Sequence, residues 1–525
     1  MAADPLDTRA GPTTFWTRVN AAEALPGVIT PLTWTLYAPV AEMSIRTAFS
    51  ELGVLRRDEV KWPEVPDQRF IGVFRGRCAI NLDQFRAMAD RSPGQSGDAV
   101  EREFFGTVRP DVTSVPMRRR YAFVAGKTPK AAFSVKRRLL ALEAEADAWW
   151  HRVLADPALA EPVRARAVLR EASDLFTRVM VPHTIGTMLA PAFFTQLARL
   201  CVKAGQPGLE LRLVTGQSVN ETAWLGELWE VAHGRGDLAA FVAHHGYHGP
   251  DEGELSTHVW READGPLRSM VERFATMPAE DAPAEVERRR AAEAVEAERI
   301  LMGALSAARR PGGRALLRIV RHFVPLRETG RSAFLRTVDG ARAAARSLGL
   351  HLADTGVLKD PEDVFFLTMD ELTGTLPDGV VGLVEQRRAW FTEHQQVRLP
   401  DAWTGRPETL APPEAPSGGV IELSGFAVSP GVVEGPVRVI ASAHDLDQLE
   451  PGEILVCPLT DPSWALGFVL AAGLAIDVGG PLSHGAIVAR EMGLPCVINT
   501  RTGTEQLRTG DLVRLDGGAG TLTRI

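Results

Sequence analysis

Apolar residues recur at helical spacing through most of the first 350 residues. They return every three or four positions, which is typical of helices that bury one face. The sequence Arg310-Pro311-Gly312-Gly313 interrupts this pattern with residues that favour a turn. We therefore expect a long antiparallel helical hairpin at about 284–348. The predicted helices are 132–155, 161–204 with proline interruptions, 220–232, 284–308 and 314–348.

Beyond residue 420 the pattern changes to short apolar runs separated by glycine and proline. This alternation of short strands and short helices predicts a compact α/β unit. A strand hairpin is also predicted much earlier, at 69–81. The strands predicted for the tail are 437–440, 453–457, 474–478, 496–499 and 512–516, and its helices are 463–471 and 484–492.

A proline- and glycine-rich stretch, 399–419, separates the two patterns. Its five prolines and three glycines disfavour both a helix and a central strand. An extended linker of this kind spans roughly 3 Å per residue, so it could reach on the order of 50 Å. An ordinary surface connector is the alternative. We predict a multidomain chain with a mainly α domain at 1–398, a linker at 399–419 and an α/β domain at 420–525.

Composition and charge narrow the classes of function. The 525 residues have a net charge of −8, which disfavours nucleic acid as a main partner. The four cysteines show no paired spacing, so neither a metal site nor a disulfide framework is predicted. The N-terminus lacks a secretory signal, and no uninterrupted apolar run is long enough to span a membrane. These observations predict a cytoplasmic protein with no membrane partner.

One histidine stands where a helix follows a buried strand. His484 comes after the predicted strand 474–478 and the pair Gly479-Gly480, and it opens the predicted helix 484–492. Unpaired N–H groups and the positive end of the helix dipole favour an anion there. Ser483 adds a hydroxyl group, and a neutral imidazole is a competent nucleophile toward phosphorus. This arrangement suits a covalently bound phosphate, whereas an isolated histidine at a helix start is more often a surface or capping residue.

The residues around His484 resemble the phosphohistidine swivelling domain of the phosphoenolpyruvate-utilising enzymes. The resemblance extends to further motifs in the tail, including the glycine-rich segment 425–431 and Asp516-Gly517. It implies a β/β/α swivelling domain in which His484 is phosphorylated. The phosphate would be supported by Gly479, Gly480, Ser483 and Gly485. The matching positions around the histidine are Gly479, Gly480, Ser483, His484, Ala489, Arg490, Glu491, Gly493 and Pro495.

The front part resembles the substrate-binding domain of rifampicin phosphotransferase and related synthase-like proteins, at scattered points between residues 15 and 375. These include 20–34, 246–254 and 363–367. A receiving site for a phosphoryl group should offer cations. Arg327 with Glu328 is the first candidate for substrate binding, and Glu254 and His183 are candidates for a base. A surface ion pair or an ordinary core histidine is the competing interpretation of each.

The full enzymes of this family also contain an ATP-grasp domain, and no glycine-rich phosphate loop followed by lysine appears in this sequence. The resemblance therefore implies a phosphotransferase that binds no cofactor itself. ATP and Mg²⁺ would be bound by a separate ATP-grasp protein. This partner would load His484, which would then transfer the phosphoryl group to a small hydroxyl-bearing molecule.

Three alternatives remain open at this stage. A protein-to-protein phosphocarrier would use a similar histidine, although it needs a phosphoenolpyruvate-binding barrel. A non-catalytic binding module could keep the swivelling domain without its chemistry. The transferred phosphate could also activate a substrate for condensation or dehydration. The sequence does not identify the acceptor, the loading partner or the oligomeric state.

Overall fold

The computed structural model describes residues 4–19, 21, 25–105, 108–215, 219–279, 282–411, 421–460, 464–481 and 483–525. The chain divides into two compact units, each built from three segments. Unit 1 comprises Met1–Gly186, Gly253–Thr257 and Thr329–Pro412. Unit 2 comprises Thr187–Glu252, His258–Glu328 and Pro413–Ile525.

Helices dominate the part of the chain before residue 400. In chain order they are α1 Pro31–Glu51, α2 Leu82–Asp90, α3 Gly97–Phe105, α4 Tyr121–Leu154, α5 Pro162–Lys203, α6 Leu209–Leu213, α7 Val219–Ala232, α8 Leu238–His245, α9 Gly265–Thr276, α10 Pro283–Ala304, α11 Arg310–Phe323, α12 Leu326–Asp354, α13 Met369–Thr373 and α14 Val380–Gln396. The tail adds α15 Ala465–Leu470, α16 His484–Met492 and α17 Gly503–Gln506.

The strands form two sheets, one in each unit. They are β1 Phe15–Thr17, β2 Ile71–Phe74, β3 Arg77–Asn81, β4 Ala402–Thr404, β5 Glu422–Ser424, β6 Phe426–Ser429, β7 Val432–Val439, β8 Ile454–Cys457, β9 Gly473–Ile476, β10 Cys496–Ile498, β11 Leu512–Asp516 and β12 Thr521–Arg524. The sheet of unit 1 has the order β2-β3-β1-β4 and is antiparallel. The sheet of unit 2 has the order β5-β12-β11-β7-β8-β9-β10-β6.

The centre of the unit 2 sheet is parallel. Strands β7, β8, β9 and β10 run in the same direction, and the outer pairs are antiparallel. Both faces of these central strands are buried: Leu474 belongs to a core shared with α16, whereas Ala475 belongs to a core shared with β11 and β12. Strands covered on both faces are typical of parallel sheets and explain the continuous apolar runs in the tail.

The segment predicted as a linker is partly structured. Trp403 lies in β4, which pairs with β1, and its side chain is 7% exposed. Its ring packs against Phe74 with centroids 5.2 Å apart. The start of the predicted 399–419 linker is therefore an edge strand of unit 1, where proline-flanked strands are tolerated. Residues 412–420 lie outside the described part.

The predicted 284–348 hairpin is wrong in detail. Arg310-Pro311-Gly312-Gly313 is not the turn, because these residues form the first turn of α11. Proline suits that position since its missing N–H would have no partner there. The predicted second arm is also two helices, α11 and α12, with Val324 and Pro325 between them. Helix α11 folds back along α10, because Arg310 donates to the Met302 carbonyl oxygen and Arg321 donates to Glu298.

The unit boundaries differ from the predicted domain boundary. Residues 187–252 and 258–328 group with the tail rather than with the rest of 1–398. Because α5 and α12 each run across a unit boundary, no break in the helical pattern marks it. The predicted strand hairpin at 69–81 is confirmed by the antiparallel pairing of β2 and β3. In the tail, α16 has the predicted bounds.

Helix α5 is long and apolar enough to cross a membrane, judged by its length and composition alone. In unit 1 its buried positions include Val168, Leu175 and Val179. These recur at spacings of seven and four residues, which places them on one face of the helix. Of the most apolar 18-residue stretch of α5, 28% is buried.

Candidate functional site

The helix that begins at His484 belongs to a β9–α16–β10 crossover. Strands β9 and β10 are parallel neighbours, with Cys496 opposite Leu474. The chain leaves the carboxyl end of β9, passes through residues 477–483 and enters α16 at that end of the sheet. The N–H groups of the first helical turn have no partner within the helix, so those that no capping side chain engages are available to an anion. The side chain of His484 lies outside the described part, and its backbone forms the first residue of α16.

Both ends of α16 are capped. Ser483 is buried, and its Oγ accepts a hydrogen bond from the Ala486 N–H at 3.4 Å. Gly493 ends the helix with a φ of 74°, a left-handed conformation that favours glycine. Ser483 is thus an N-cap as well as the predicted hydroxyl neighbour of His484.

The three predicted glycines have different surroundings. Gly479 has a φ of 153°, and a Cβ there would lie 2.9 Å from Ile498 Cγ2. A Cβ on Gly485 would lie 2.5 Å from Ile476 and from Thr460. Gly480 differs, because a Cβ there would meet nothing within 4 Å. Gly479 and Gly485 therefore let the backbone pack closely, whereas Gly480 leaves open space beside the loop.

Asp477 fixes the carboxyl end of the sheet. It is buried, and its Oδ1 accepts hydrogen bonds from Thr500 Oγ1 and the Gly503 N–H, both at 2.6 Å. Its Oδ2 accepts from the Thr504 N–H at 3.0 Å. These bonds join the end of β9 to the loop that follows β10. The Asp477 carboxylate therefore accepts hydrogen bonds from backbone N–H and hydroxyl groups at the start of the loop that leads to His484.

Arg490 is a buried cation on the same helix. Its side chain is inside the tail, and Nη1 donates to the carbonyl oxygen of Pro481 at 2.7 Å. Burial lowers the pKa of Arg490 to about 10, and the neighbouring Glu491 carboxylate opposes that shift. The guanidinium remains charged at neutral pH. It ties α16 to the loop that precedes His484.

Helix α10 packs along α16 within unit 2. The far end of the Arg290 side chain occupies the space that a Cβ on Gly493 would fill. Arg290 also donates from Nη1 to Glu293 Oε2 at 2.6 Å. The guanidinium thus lies at the carboxyl end of α16, where a cation interacts favourably with the helix dipole.

A pocket in unit 2 brings Arg327 to α16. The Thr187 Oγ1 in this pocket is buried and finds no hydrogen-bond partner among the described residues. Arg327 Nε lies 3.9 Å from Glu328 Oε1, which is too long for a hydrogen bond. The pocket therefore combines a cation and a hydroxyl with mainly apolar walls. Its lining residues are Thr187, Ala190, Pro191, Val324, Arg327 and Ile487.

This pocket lies near the start of α16. Ile487 is three residues after His484, so the two positions are about 4.5 Å apart along the axis and on the same face of the helix. A second, more apolar pocket of unit 2 includes Met492. That position is about 12 Å along the helix from His484. The Arg327 pocket is therefore the better placed of the two for chemistry at His484.

The structure places the other two predicted substrate residues in unit 1. His183 lies on α5 against α12, 5.6 Å from the ring of Phe334, at a point where Gly330 leaves room for it. The Glu254 carboxylate accepts five hydrogen bonds, from Thr30 N and Oγ1, Thr33 Oγ1, and Ser256 N and Oγ. So many donors favour an anchor for the start of α1 rather than a base, and the predicted role of Glu254 as a base gains no support.

We expect Glu254→Gln to destabilise the protein by about 3 kcal/mol, because an amide nitrogen would face donors that now have an acceptor. Chemical denaturation of the variant would measure this loss. Glu272→Gln, at an exposed position on α9, is the matched control and should change little. Phosphorylation of His484 per folded molecule should stay at the wild-type level. A stable variant with lower phosphorylation would instead favour a catalytic role.

A buried histidine–carboxylate pair lies in unit 2. His248 Nδ1 is 2.8 Å from Glu252 Oε2, and both side chains are buried. The His248 ring lies 5.5 Å from that of Trp260 and 6.2 Å from that of Trp224. The pair thus forms part of the packing of α7 and the 246–260 loop.

Sequence reasoning passed over Thr187, Ile487 and the role of Arg490. The charge of Arg490 among apolar positions of α16 was a usable signal, since a cation on a buried face needs a partner. Thr187 and Ile487 gave no comparable signal, because their part in the pocket depends on how separate segments pack.

Two family matches cover much of unit 2. Residues 449–520 match the PEP-utilising enzyme mobile domain. Residues 189–328 match the rifampicin phosphotransferase fourth domain. The first range includes all of α16, and the second includes four of the six residues that line the pocket, Arg327 among them.

Several curated proteins are similar over part of their length. An uncharacterized phosphotransferase, YvkC, of Bacillus subtilis is 40% identical over 195 residues, which is 35% of this chain and 23% of that protein. The rifampicin phosphotransferases of Streptomyces sviceus and B. subtilis are 37% and 32% identical, each over 38% of this chain. The matches span about a quarter of the length of these relatives. The segment that bears His484 is therefore similar to the PEP-utilising enzyme mobile domain, and the segment that bears Arg327 is similar to the rifampicin phosphotransferase fourth domain.

Proposed function

We propose that this protein is a phosphotransferase in which His484 accepts a phosphoryl group and passes it to a small hydroxyl-bearing molecule. One observation supports this most strongly. The helix that begins at His484 in the mobile domain also contributes Ile487 to the Arg327 pocket of the fourth domain. His484 and the pocket residue Ile487 are three positions apart on α16, which supports transfer from the one to a molecule in the other's pocket. Cytoplasmic ATP would be the ultimate source of the phosphate.

Loading is proposed to come from a separate ATP-grasp protein that binds ATP and Mg²⁺. The resemblance to rifampicin phosphotransferases suggests that the β-phosphate is transferred, with AMP and inorganic phosphate as products. A bond forms between an imidazole nitrogen of His484 and the β-phosphorus as the bond to AMP breaks, and water then cleaves the terminal phosphate from the β-phosphate as inorganic phosphate. The N–H groups at the start of α16 would stabilise the phosphorylated form.

Transfer would take place at the Arg327 pocket. The acceptor hydroxyl attacks phosphorus, the P–N bond breaks, and the imidazole returns to its neutral form. The hydroxyl proton needs an acceptor, and the carboxylate of Glu328 is the candidate next to Arg327. Arg327 would balance the negative charge on the phosphoryl oxygens, since positioning and electrostatics account for most of phosphoryl-transfer catalysis.

The walls of the pocket favour an acceptor with an apolar body. Ala190, Pro191 and Val324 contribute apolar surface, and Thr187 Oγ1 offers one hydrogen-bonding group. A site of this composition holds a mainly apolar molecule and orients it by a few polar contacts. We propose a small hydroxylated aromatic compound, and rifampicin is included as a probe because relatives are named for it.

The test uses β-labelled ATP, a purified ATP-grasp protein of this family and rifampicin followed by a panel of phenols. We expect Arg327→Met to load His484 at the wild-type rate and to transfer the label to an acceptor about 100-fold more slowly, as for loss of one charge-stabilising donor. Arg318→Met, an exposed arginine on α11, is the control and should behave as wild type. Equal transfer rates in the wild type and Arg327→Met would remove this pocket from the mechanism.

A further inference from the structure

Arg490 is an unusual residue for the interior of the tail. It lies on α16 with 3% of its side chain exposed. Ala486, Ile487 and Ala489 on that helix are buried and apolar, whereas Glu491, next to Arg490, is a buried carboxylate. An enclosed cation loses its hydration, so it persists only where it forms specific contacts.

The contact that Arg490 forms is with the loop that leads to His484. Its Nη1 donates to the carbonyl oxygen of Pro481 at 2.7 Å. Pro481 follows the Gly479-Gly480 pair, and a Cβ on Gly480 would meet open space. Because helical side chains tilt toward the N-terminus, the guanidinium points back along α16 toward the turn that begins at His484.

Stability alone does not account for a charge here. A buried ion pair can often be replaced by apolar residues of similar volume with little loss of stability, so methionine would serve as well for packing. An arginine differs from methionine in two respects: it pulls the Pro481 carbonyl toward the helix, and it adds positive charge under the loop. Both properties would favour an anion bound above the loop.

We propose that Arg490 is a positioning residue for the phosphohistidine, which holds the Gly479–Pro481 loop against α16 so that the loop and the first helical turn face the same phosphoryl group. This inference rests on the proposed function of His484. It assigns no contact between Arg490 and the phosphate. The guanidinium acts through the loop.

Phosphoramidate tests this without any partner protein. A neutral imidazole nitrogen of His484 attacks phosphorus, the P–N bond of phosphoramidate breaks, and ammonia leaves, taking up the imidazole proton as ammonium. Uptake by the full chain is followed by ³¹P NMR in the wild type, Arg490→Met, Arg490→Lys and Arg490→Ala. The control is Arg438→Met, which removes an equal charge from the same domain, where Arg438 pairs with Glu453 at 2.8 Å.

We expect phosphorylation of Arg490→Met to be about 100-fold slower than that of the wild type, and that of Arg438→Met to be unchanged. Arg490→Lys should recover part of the rate, because it keeps the charge but not the planar donor geometry. Millimolar guanidinium should restore part of the rate of Arg490→Ala, whereas urea, which has a similar shape and no charge, should not. Circular dichroism and thermal unfolding would show which variants remain folded.

Two outcomes would overturn the inference. A folded Arg490→Met that is phosphorylated as fast as the wild type excludes a positioning role. Equal recovery of the Arg490→Ala phosphorylation rate with urea and with guanidinium also excludes this role, because filling the cavity would then be enough to restore the rate. If Arg490→Met fails to fold, the guanidinium and urea series on Arg490→Ala still decides the question. A wild-type chain that takes up no phosphate at His484 contradicts the proposed function itself, which distinguishes the two failures.

Discussion

His484→Ala is expected to fold normally and to take up no acid-labile, base-stable phosphate. The substitution removes the imidazole, and a phosphate bound to nitrogen is the species that acid releases and base preserves. A phosphate ester on serine or threonine shows the opposite stability. The measurement is label retained after acid and after base treatment, following incubation with β-labelled ATP and an ATP-grasp protein. The expected loss is complete, because the account contains no second phosphate acceptor.

Ser483→Ala is the matched control for this prediction. It alters the neighbouring residue and removes the N-cap of α16, which costs about 1 kcal/mol, but it keeps the nucleophile. We expect slower labelling of the same chemical type. Label that persists in His484→Ala, with the same acid and base behaviour, would show that another histidine is the acceptor.

Gly485→Val is expected to lower both stability and phosphorylation. A Cβ at this position would already lie 2.5 Å from Ile476 Cδ1 and Thr460 Oγ1, and valine adds two more carbons. Overpacking of this kind typically costs about 1–3 kcal/mol and shifts the backbone. The shift would move the start of α16 away from the end of β9. Thermal unfolding and phosphoramidate uptake measure the two effects.

Gly480→Ala is expected to change phosphorylation without changing stability. Since a Cβ on Gly480 would meet nothing within 4 Å, its unfolding temperature should match that of the wild type. Its phosphorylation should fall if the open space beside the loop receives the phosphoryl group. Unchanged stability in Gly485→Val would contradict the packing described for the start of α16.

The crossover that bears His484 was predictable because its signals are local. The apolar run of β9, the glycine pair, the N-cap Ser483 and the glycine stop of α16 follow one another within about twenty residues. Each of these signals agrees with the others, and consistent local signals identify an element well. The helix begins and ends where the pattern predicted.

The wrong predictions concern segments whose structure depends on contacts with residues far away in the sequence. Pro311 and Gly312 have turn composition, yet both are accommodated in the exposed first turn of α11. Trp403 lies within a proline-rich stretch, yet pairing with β1 and packing against Phe74 place it in a sheet. Neither partner is near in the sequence.

The candidate site was predictable only in part. Arg327 was selected for its charge, and the structure adds the Thr187 hydroxyl and the adjacent face of α16. Glu254 was selected by the same reasoning, but its carboxylate is occupied by five donors of unit 1. Charge in the sequence shows that a residue needs partners, and only the packing shows whether those partners are within the protein.

The most direct measurement is the location of the phosphate in the intact protein. After loading with an ATP-grasp protein and ATP, the chain would be digested at alkaline pH and its peptides fragmented by electron transfer, which preserves P–N bonds. The account predicts one phosphoryl group on the imidazole of His484 and its loss when an acceptor is added. A phosphate on a different residue, or none on a folded chain supplied with an active ATP-grasp protein, would contradict it.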